Sequence, residues 1–301
     1  MQNTLKFGRV AIVGRPNTGK STLLNALMNQ KVAITSPLPQ TTRKSSQVVF
    51  RNEKGVILFT DTPGIINQVE DLMSKNINME APKSTARKDV IVCLVDISRE
   101  KSEEENKVIG LVRKMPSKKI LVYNKTDKAI GSKDHLAEYN YLEEEFDKVI
   151  SISAIKEKNV KGLLNLIFDF LPEKTEKEIN SELGVMAEKK GPLMGMGSKE
   201  YVGEIIREKA YLFLREELPY TINVEVKEVK DKGKLIYISA VINTNADRYK
   251  KMIIGKNGQK IKEIGFNARK ELELMSGRKI FLELTVEIDR HWMERSFNTR
   301  Q

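Results

Sequence analysis

The fold is decided by residues 9–24, which read RVAIVGRPNTGKSTLL. The first residues form a short apolar run typical of a buried strand, and a helical pattern follows from Ser21 to Asn29. Between them, Gly14 to Ser21 fits the spacing G-x-x-x-x-G-K-[ST]. Glycines at those positions let the backbone curl, so that successive N–H groups and the helix N-terminus face an anion. The stretch therefore predicts a phosphate-binding loop between a strand and a helix.

Outward from this loop, short apolar runs alternate with helical patterns as far as about residue 170. Asn52 to Gly55 is typical of a hairpin turn. The alternation predicts an α/β fold over residues 1–172, with a mostly parallel, doubly wound sheet. Strands are expected at Arg9–Val13, Gln47–Phe50, Val56–Thr60, Val90–Val95, Ile120–Tyr123 and Val149–Ile152, and further helices at about 103–114, 134–147 and 160–170.

The second half of the chain has a different rhythm. Residues 173–198 are rich in Glu, Lys, Gly and Met and have little periodicity, which indicates a linker. Residues 199–301 read as a helix, two alternating strands, two helices separated by glycines, and a last strand from Lys279 to Ile288. This order predicts a second domain of α+β type.

Composition narrows the class of protein. The chain has 301 residues, of which 40% are hydrophobic and 31% charged, and that is enough for two domains. No apolar run approaches the roughly 18–20 residues that span a bilayer, and no signal-peptide pattern is recognised, so a membrane-spanning or secreted protein is not expected. The single cysteine, Cys93, excludes an internal disulfide and lies in an apolar run that favours a buried thiol. The net charge of +11 favours anionic partners.

The residues of the phosphate loop have separable roles. Lys20 would reach the β- and γ-phosphates, and the Ser21 hydroxyl would ligate magnesium. Asp61, which begins the sequence Asp-Thr-Pro-Gly after an apolar run, would hold the metal through a water molecule. The Gly64 N–H would contact the γ-phosphate, and Thr42 would complete the metal shell only while that phosphate is present.

A second motif reads the base. Asn124-Lys125-Thr126-Asp127 directly follows an apolar run, and Asp127 would accept two hydrogen bonds from the N1–H and the amine of guanine. Adenine lacks both donors at that edge, so it would leave the carboxylate unpaired at a cost of about 1–3 kcal/mol or more. The Lys125 stem would cover the purine, and the Ala154 N–H, after the next run, would donate to O6. In this order the motifs predict a GTP site.

Together, GRPNTGKST, PQTTR, DTPG and NKTD resemble the Era family of single-GTPase-domain proteins. The resemblance implies magnesium at Ser21 and Thr42 and a γ-phosphate sensor at Asp61 and Gly64. With Asp61 holding the ion through water, the expected metal residues are Ser21, Thr42 and Asp61, and the expected catalytic residues are Lys20, Thr42, Gly64 and Asn17. The nucleotide-binding residues it implies are Asn17, Thr18, Gly19, Lys20, Ser21, Thr22, Asp61, Gly64, Asn124, Lys125, Asp127, Ser153 and Ala154.

The position after Gly64 is Ile65, whose side chain cannot order an attacking water. Slow turnover is therefore expected, with the barrier lowered by Lys20, magnesium and the backbone around Gly64. In related GTPases an asparagine at the position of Asn17 helps to hold potassium, so we hypothesise that potassium accelerates hydrolysis. The alternative is that Asn17 only shapes the loop.

The basic charge is concentrated in residues 248–270, which hold eight basic side chains and one acidic, a net +7. Within this segment, Gly255-Lys256-Asn257-Gly258 is a GxxG turn whose backbone N–H groups can approach phosphates. The turn and the order of elements match a type II KH module, which binds single-stranded RNA. Ile253, Ile254, Ile261 and Ile264 are expected to form the floor of a groove that is too narrow for a duplex but suited to splayed bases. The expected RNA-binding residues are Ile253, Ile254, Gly255, Lys256, Asn257, Gly258, Lys260, Lys262 and Arg269.

The resemblance to the Era family extends over nearly the whole chain. It implies a monomeric, cytoplasmic GTP-hydrolysing switch that binds the 3′ end of small-subunit ribosomal RNA and assists maturation of the small ribosomal subunit. One alternative is an RNA-binding assembly scaffold with structural GTP and incidental hydrolysis. Another adds peripheral association with the inner face of the cell membrane through the basic surface.

Overall fold

The computed structural model describes residues 4–33, 46–61, 88–131, 134–184, 198–214 and 218–292. These residues form two compact units, one ending at residue 184 and the other beginning at residue 198. Each unit has its own sheet. None of the helices in the described ranges is both long enough and apolar enough to cross a membrane.

The first unit is built on a seven-stranded sheet. Its strands are β1 (Thr4–Val13), β2 (Ser46–Asn52), β3 (Gly55–Asp61), β4 (Val90–Asp96), β5 (Lys118–Asn124), β6 (Lys148–Ser151) and β7 (Glu173–Thr175). The order is β2-β3-β1-β4-β5-β6, and β7 pairs with the N-terminal end of β1. All neighbours are parallel except β2 on β3, joined by the expected hairpin, and β7 on β1. The mostly parallel sheet is thus confirmed.

Helices pack against both faces of this sheet. They are α1 (Lys20–Met28), α2 (Glu103–Arg113), α3 (Val160–Phe170) and α4 (Glu176–Leu183), and Leu136–Glu145, predicted as helical, forms a 3-10 helix. Along β4, Val92 packs in a core with α1 and α3, whereas Ile91 and Cys93 pack in a second core with α2. Alternate residues therefore serve opposite cores, as a doubly wound sheet requires. Burial raises the pKa of the Cys93 thiol to about 12, which fits a structural cysteine.

The linker predicted for residues 173–198 is wrong in its first half. Residues 173–175 form β7, and 176–183 form α4. Thr175 caps α4, because its hydroxyl accepts the Glu178 N–H while the Glu178 carboxylate accepts the Thr175 N–H at 2.8 Å. The segment is too short for a clear helical period, which is why the composition suggested a linker. Residues 185–197 lie outside the described part of the chain.

Hydrophobic packing fixes this segment to the first unit. Ile179 and Leu183, one helical turn apart, are buried in a small core with Phe7 and Leu58. The first unit therefore extends at least to residue 184, beyond the expected boundary at 172.

The second unit has the predicted order of elements. They are α5 (Ser198–Phe213), a 3-10 turn (Leu218–Thr221), β8 (Ile222–Asp231), β9 (Leu235–Thr244), α6 (Asp247–Ile254), α7 (Gln259–Ser276) and β10 (Lys279–Ile288). The sheet order is β10-β9-β8, with β9 antiparallel to β8 and parallel to β10. Ile205 and Ile206 of α5 and Ile264 and Leu272 of α7 are buried. This arrangement confirms an α+β fold of the type II KH class.

Candidate functional site

The loop between β1 and α1 has the conformation that its glycines allow. Gly19 has a φ of 99° and Asn17 a φ of 63°, both in the left-handed region. A Cβ on Gly14 would lie 2.5 Å from the carbonyl oxygen of Leu94, and one on Gly19 would lie 2.5 Å from Nδ2 of Asn124. Only glycine therefore fits at these two positions.

The lysine of the loop is turned inward. Lys20 is the first residue of α1 and is buried, and its Nζ donates to the carbonyl oxygens of Gly14 at 2.9 Å and Arg15 at 2.8 Å. The Thr18 hydroxyl also donates to the Arg15 carbonyl, at 3.0 Å. Ser21 and Thr22 follow in the first turn of α1, where the helix dipole favours an anion. The loop thus surrounds the Lys20 ammonium group, which supplies the positive charge that a phosphate site requires.

Asn124, at the end of β5, ties the phosphate loop to the last loop of the site. Its Nδ2 donates to the Thr18 carbonyl at 2.8 Å, and its Oδ1 accepts the Ala154 N–H at 3.0 Å. The Ala154 N–H, predicted to reach guanine O6, therefore has a protein acceptor in this structure. The predicted phosphate end and base end form one connected site.

The predicted guanine-reading carboxylate lies beside that connection. Asp127 is half-buried, and one of its oxygens accepts the Ser153 hydroxyl at 2.5 Å. The Lys156 N–H donates to the same hydroxyl at 3.2 Å, and the Thr126 hydroxyl donates to the Ile152 carbonyl at 3.0 Å. These bonds fix the loops that follow β5 and β6 against each other, so the carboxylate is oriented before any ligand binds.

Sequence reasoning missed one acidic residue of the site. Asp96 ends β4 and is fully buried, and Lys125 Nζ lies 2.6 Å from its Oδ2 and 2.6 Å from the Asn17 carbonyl oxygen. The ammonium group of Lys125 is thus held by Asp96 and the phosphate loop, and coverage of the purine by its stem stays a prediction. Asp96 pairs in register with Asn124 on β5, so its place at the carboxyl end of an apolar strand was the available signal.

The predicted metal and switch residues are covered only in part. Asp61 ends β3, and its backbone pairs in register with Ile12 of β1, the strand that leads into the phosphate loop. Thr42 and Gly64 lie outside the described residues. Within the described ranges there is no group of three or more His, Cys, Asp or Glu side chains that could hold a metal ion. Magnesium ligation by Ser21, Thr42 and Asp61 stays a prediction.

The predicted GxxG turn joins α6 to α7. Gly255 and Gly258 have φ values of 72° and 73°, and Asn257 between them has a φ of 52°. The Gly258 N–H donates to the Gly255 carbonyl at 3.2 Å, which closes a tight turn. A Cβ on Gly255 would lie 2.9 Å from Cγ of Lys260, so the turn packs closely on the helix that follows it.

The residues predicted to bind RNA divide by exposure. Those at the surface are Lys256, Asn257, Lys262 and Arg269, and those partly buried are Ile254, Gly255, Gly258 and Lys260. Ile253 and Ile264, predicted to form the floor of an RNA groove, are fully buried in the core of the unit and are not available to a ligand. The prediction is corrected for these two, because Ile253 and Ile264 lie on the faces of α6 and α7 that are turned into the core. Exposed Phe266, which no prediction included, lies with its ring centroid 5.7 Å from the Arg269 guanidinium carbon.

Comparisons with known proteins match both units of the chain. The family model described as "50S ribosome-binding GTPase" matches residues 9–125, and the one described as "KH domain" matches residues 217–293. Two relatives called GTPase Era, from Clostridioides difficile and Pseudomonas fluorescens, are 35% and 36% identical to the chain, covering 95% and 97% of it and 94% of each relative.

Two solved structures share the fold over the whole length. One is a variant of Aquifex aeolicus Era bound to GDP and AlF4−, and the other is Era in complex with MgGDPNP and nucleotides 1506–1542 of 16S ribosomal RNA. Each has a TM-score of 0.85 and 33% identity, covering 97% of this chain and 97% of that structure.

Proposed function

We propose that this chain, which belongs to the Era family of GTPases, hydrolyses GTP as a switch that controls binding of the 3′ end of small-subunit ribosomal RNA. The observation that carries the proposal is the double tie made by Asn124, which joins the phosphate loop to the Ala154 loop beside Asp127. A second unit with an exposed basic GxxG turn supplies the RNA surface. In this role the protein assists maturation of the small ribosomal subunit.

GTP would be read at both ends of the site. The amides of residues 17–21 would bind the phosphates, and Lys20 would exchange the carbonyls of Gly14 and Arg15 for phosphate oxygens. At the base end, Asp127 would accept the two guanine donors, supported by Ser153. Guanine O6 would share or take the Ala154 N–H that Asn124 accepts.

Magnesium fits the donors at the phosphate end. Ser21, Thr42 and Asp61 offer hydroxyl and carboxylate oxygens, the hard ligands that magnesium prefers. Ser21 is the second residue of the helix that follows the loop, and Asp61 ends the strand beside β1. The bound ion would neutralise charge that develops between the β- and γ-phosphates. The relative solved with 16S ribosomal RNA contains MgGDPNP.

Hydrolysis would be slow without a partner. Ile65 cannot order water, so Lys20 and the backbone around Gly64 would stabilise the transition state. Thr42 and Gly64 would hold their loops while the γ-phosphate is present and release them on hydrolysis. Asn17 would help to hold a potassium ion. Replacing potassium by sodium at constant ionic strength is expected to slow turnover, and an unchanged rate would rule this assignment out.

The RNA assignment is tested by crosslinking and sequencing bound RNA, with GDP and with a non-hydrolysable GTP analogue. Reads at the 3′ end of small-subunit ribosomal RNA that increase with the analogue are expected. Lys256→Glu is expected to weaken this binding, since it reverses a charge on the GxxG turn. Lys161→Glu makes the same charge change at an exposed position of α3 and is expected to leave binding unchanged.

A scaffold with structural GTP is distinguished by single-turnover hydrolysis. Small ribosomal subunits are expected to accelerate hydrolysis by a switch and to leave a scaffold unaffected. We also propose that the protein acts in the cytoplasm, where it would meet its ribosomal RNA partner, and that it acts as a monomer. Attachment of the basic surface to the inner face of the membrane is the remaining alternative, and flotation with anionic lipid vesicles tests it.

A further inference from the structure

Two cations hold the phosphate loop from its outer side. Nη2 of Arg99, in the loop after β4, donates to the Pro16 carbonyl at 2.7 Å. Nζ of Lys125 donates to the next carbonyl, that of Asn17, at 2.6 Å. Both cations pair with the same oxygen of Asp96, Arg99 Nε at 3.0 Å and Lys125 Nζ at 2.6 Å. The buried Asp96 carboxylate thus pairs with both Arg99 and Lys125, the two side chains that bind consecutive carbonyls of the loop.

Because the peptide bond is planar, a hydrogen bond that holds a carbonyl of the loop also fixes the direction of the N–H that follows it. In a trans peptide the C=O and the following N–H point in opposite directions. Holding the Pro16 carbonyl therefore directs the Asn17 N–H to the other side of the loop, and holding the Asn17 carbonyl does the same for the Thr18 N–H. Asn124 extends the series, because it binds the Thr18 carbonyl and so directs the Gly19 N–H.

Three successive amides are thereby set by three side-chain donors outside the loop. Successive N–H groups that face one concavity make an anion-binding nest. The conformation is not one that the chain adopts readily by itself, since Asn17 has a left-handed φ of 63°. Surrounding contacts have to maintain such a backbone, and the Arg99 and Lys125 hydrogen bonds flank this residue.

Asp96 is suited to this task because it stays ionised. Burial alone would raise its pKa, but hydrogen bonds from Lys125 and Ser98 and the charge of Arg99 outweigh burial and hold the pKa below its ordinary value. The Ser98 N–H and hydroxyl donate to the other carboxylate oxygen at 3.1 and 2.7 Å. Every group bound to Asp96 is therefore a donor or a cation.

We propose that Asp96 and Arg99 are positioning residues for phosphate binding, acting through the Pro16 and Asn17 carbonyls to orient the amides of the loop. The proposal rests on the nucleotide site proposed above. Arg99 itself touches no nucleotide in this scheme. Removing Arg99 is expected to have a small effect on global stability, because its side chain is 38% exposed and Asp96 keeps Lys125 and Ser98 as partners.

The test compares Arg99→Ala with Arg113→Ala in the full chain. Arg113 makes a bidentate pair with Glu145 at 2.5 and 2.6 Å at the end of α2, so its loss removes an arginine–carboxylate pair that contacts no residue of the phosphate loop. Affinities for GDP and for guanosine are measured by calorimetry or competition, and folding is checked by thermal melting. Guanosine reports on the base end alone, because it carries no phosphate.

Arg99→Ala is expected to weaken GDP binding about tenfold, the equivalent of one charge-assisted hydrogen bond, and to change guanosine binding less than about twofold. Arg113→Ala is expected to change neither. Arg99→Lys keeps the charge beside Asp96 but cannot span both acceptors, so it is expected to recover part of the loss. This variant also keeps the comparison valid if Arg99→Ala folds poorly.

Three outcomes overturn the proposal. GDP binding that is equal in Arg99→Ala and Arg113→Ala removes the role of Arg99. Equal losses for GDP and guanosine show a general disturbance rather than an effect on the phosphates. Wild-type protein that does not bind GDP overturns the nucleotide site and the positioning role together, which distinguishes that failure from the first two.

Discussion

Replacing Asp127 by asparagine tests guanine recognition most directly. In the wild-type site one carboxylate oxygen accepts the Ser153 hydroxyl at 2.5 Å, and the carboxylate would also accept the N1–H and the amine of guanine. An asparagine has one acceptor and one donor group in the same place. If its oxygen faces guanine, one neutral hydrogen bond remains, and if its NH2 faces guanine, donors oppose donors.

The expected loss follows from this count. Two hydrogen bonds to a charged acceptor contribute about 1.5–3 kcal/mol each, and one neutral bond contributes about 0.5–1.5 kcal/mol. Asp127→Asn should therefore weaken GDP binding by about 2–5 kcal/mol, or roughly 30- to 5,000-fold. Xanthine has a carbonyl where guanine has its amine, so its edge matches the asparagine amide. The variant is expected to prefer xanthosine diphosphate to GDP.

Calorimetry with both nucleotides measures the exchange of preference, and Asp169→Asn serves as the matched control. Asp169 is exposed on α3, so the same chemical change there is expected to leave both affinities unaltered. The reasoning fails if Asp127→Asn binds GDP within about threefold of wild type. It also fails if GDP binding falls and xanthosine diphosphate gains nothing, because the loss would then come from disturbed packing.

Three further substitutions test the fold around the site. Gly19→Ala is expected to abolish GDP binding, since its Cβ would lie 2.5 Å from the side-chain amide of the NKTD asparagine. Gly110→Ala on α2 should bind normally in the same titration, because its Cβ would meet no atom of the described residues within 4 Å apart from its own helix backbone and chain neighbours. In urea unfolding, Ile179→Ala should lower the free energy of unfolding by about 2–4 kcal/mol, because Ile179 is buried in the core of the first unit. Ile155→Ala, at a side chain that is 65% exposed, should lower it by less than about 0.5 kcal/mol, and equal losses would contradict the place of α4 in the first unit. Because the pKa of Asp96 is lowered in the folded state, its charge contributes stability that is fully present above the ordinary value of 3.8 and is lost as the pH falls through the folded-state value. In urea titrations, the stability deficit of Asp96→Asn relative to wild type should therefore be full at pH 7 and shrink progressively as the pH is lowered below 3.8.

The sequence was sufficient for the strands and turns that carry the motifs. Apolar runs such as Val90–Val95 are buried on both sides of the sheet, so their composition alone marks them as central strands. The glycines at 14, 19, 255 and 258 occupy close approaches or left-handed conformations, which makes the turns local properties of the chain. Local properties of this kind are visible without tertiary information.

Burial within a helix was less predictable. Ile253 and Ile254 are adjacent and chemically alike, yet the first is fully buried and the second only partly. Which of the two is buried depends on the face that α6 presents to the sheet, and that face is set by strands that are distant in sequence. The cap formed by Thr175 and Glu178, in contrast, could have been predicted locally, because a threonine followed three residues later by a glutamate is a signal of a helix start. The linker-like composition of residues 173–198 outweighed that signal.

Asp96 shows why the support of a site is harder to predict than its motifs. The lysine that pairs with it belongs to NKTD, 29 residues further along the chain, and the two meet because β4 and β5 are neighbours with Asp96 opposite Asn124. Arg99 reaches the phosphate loop because the same strand order places β4 beside β1. A motif records the groups that would touch the nucleotide, whereas the groups that hold those residues are selected by the order of strands. Positioning residues in sheets of this class should therefore be sought at the carboxyl ends of the strands that flank each motif.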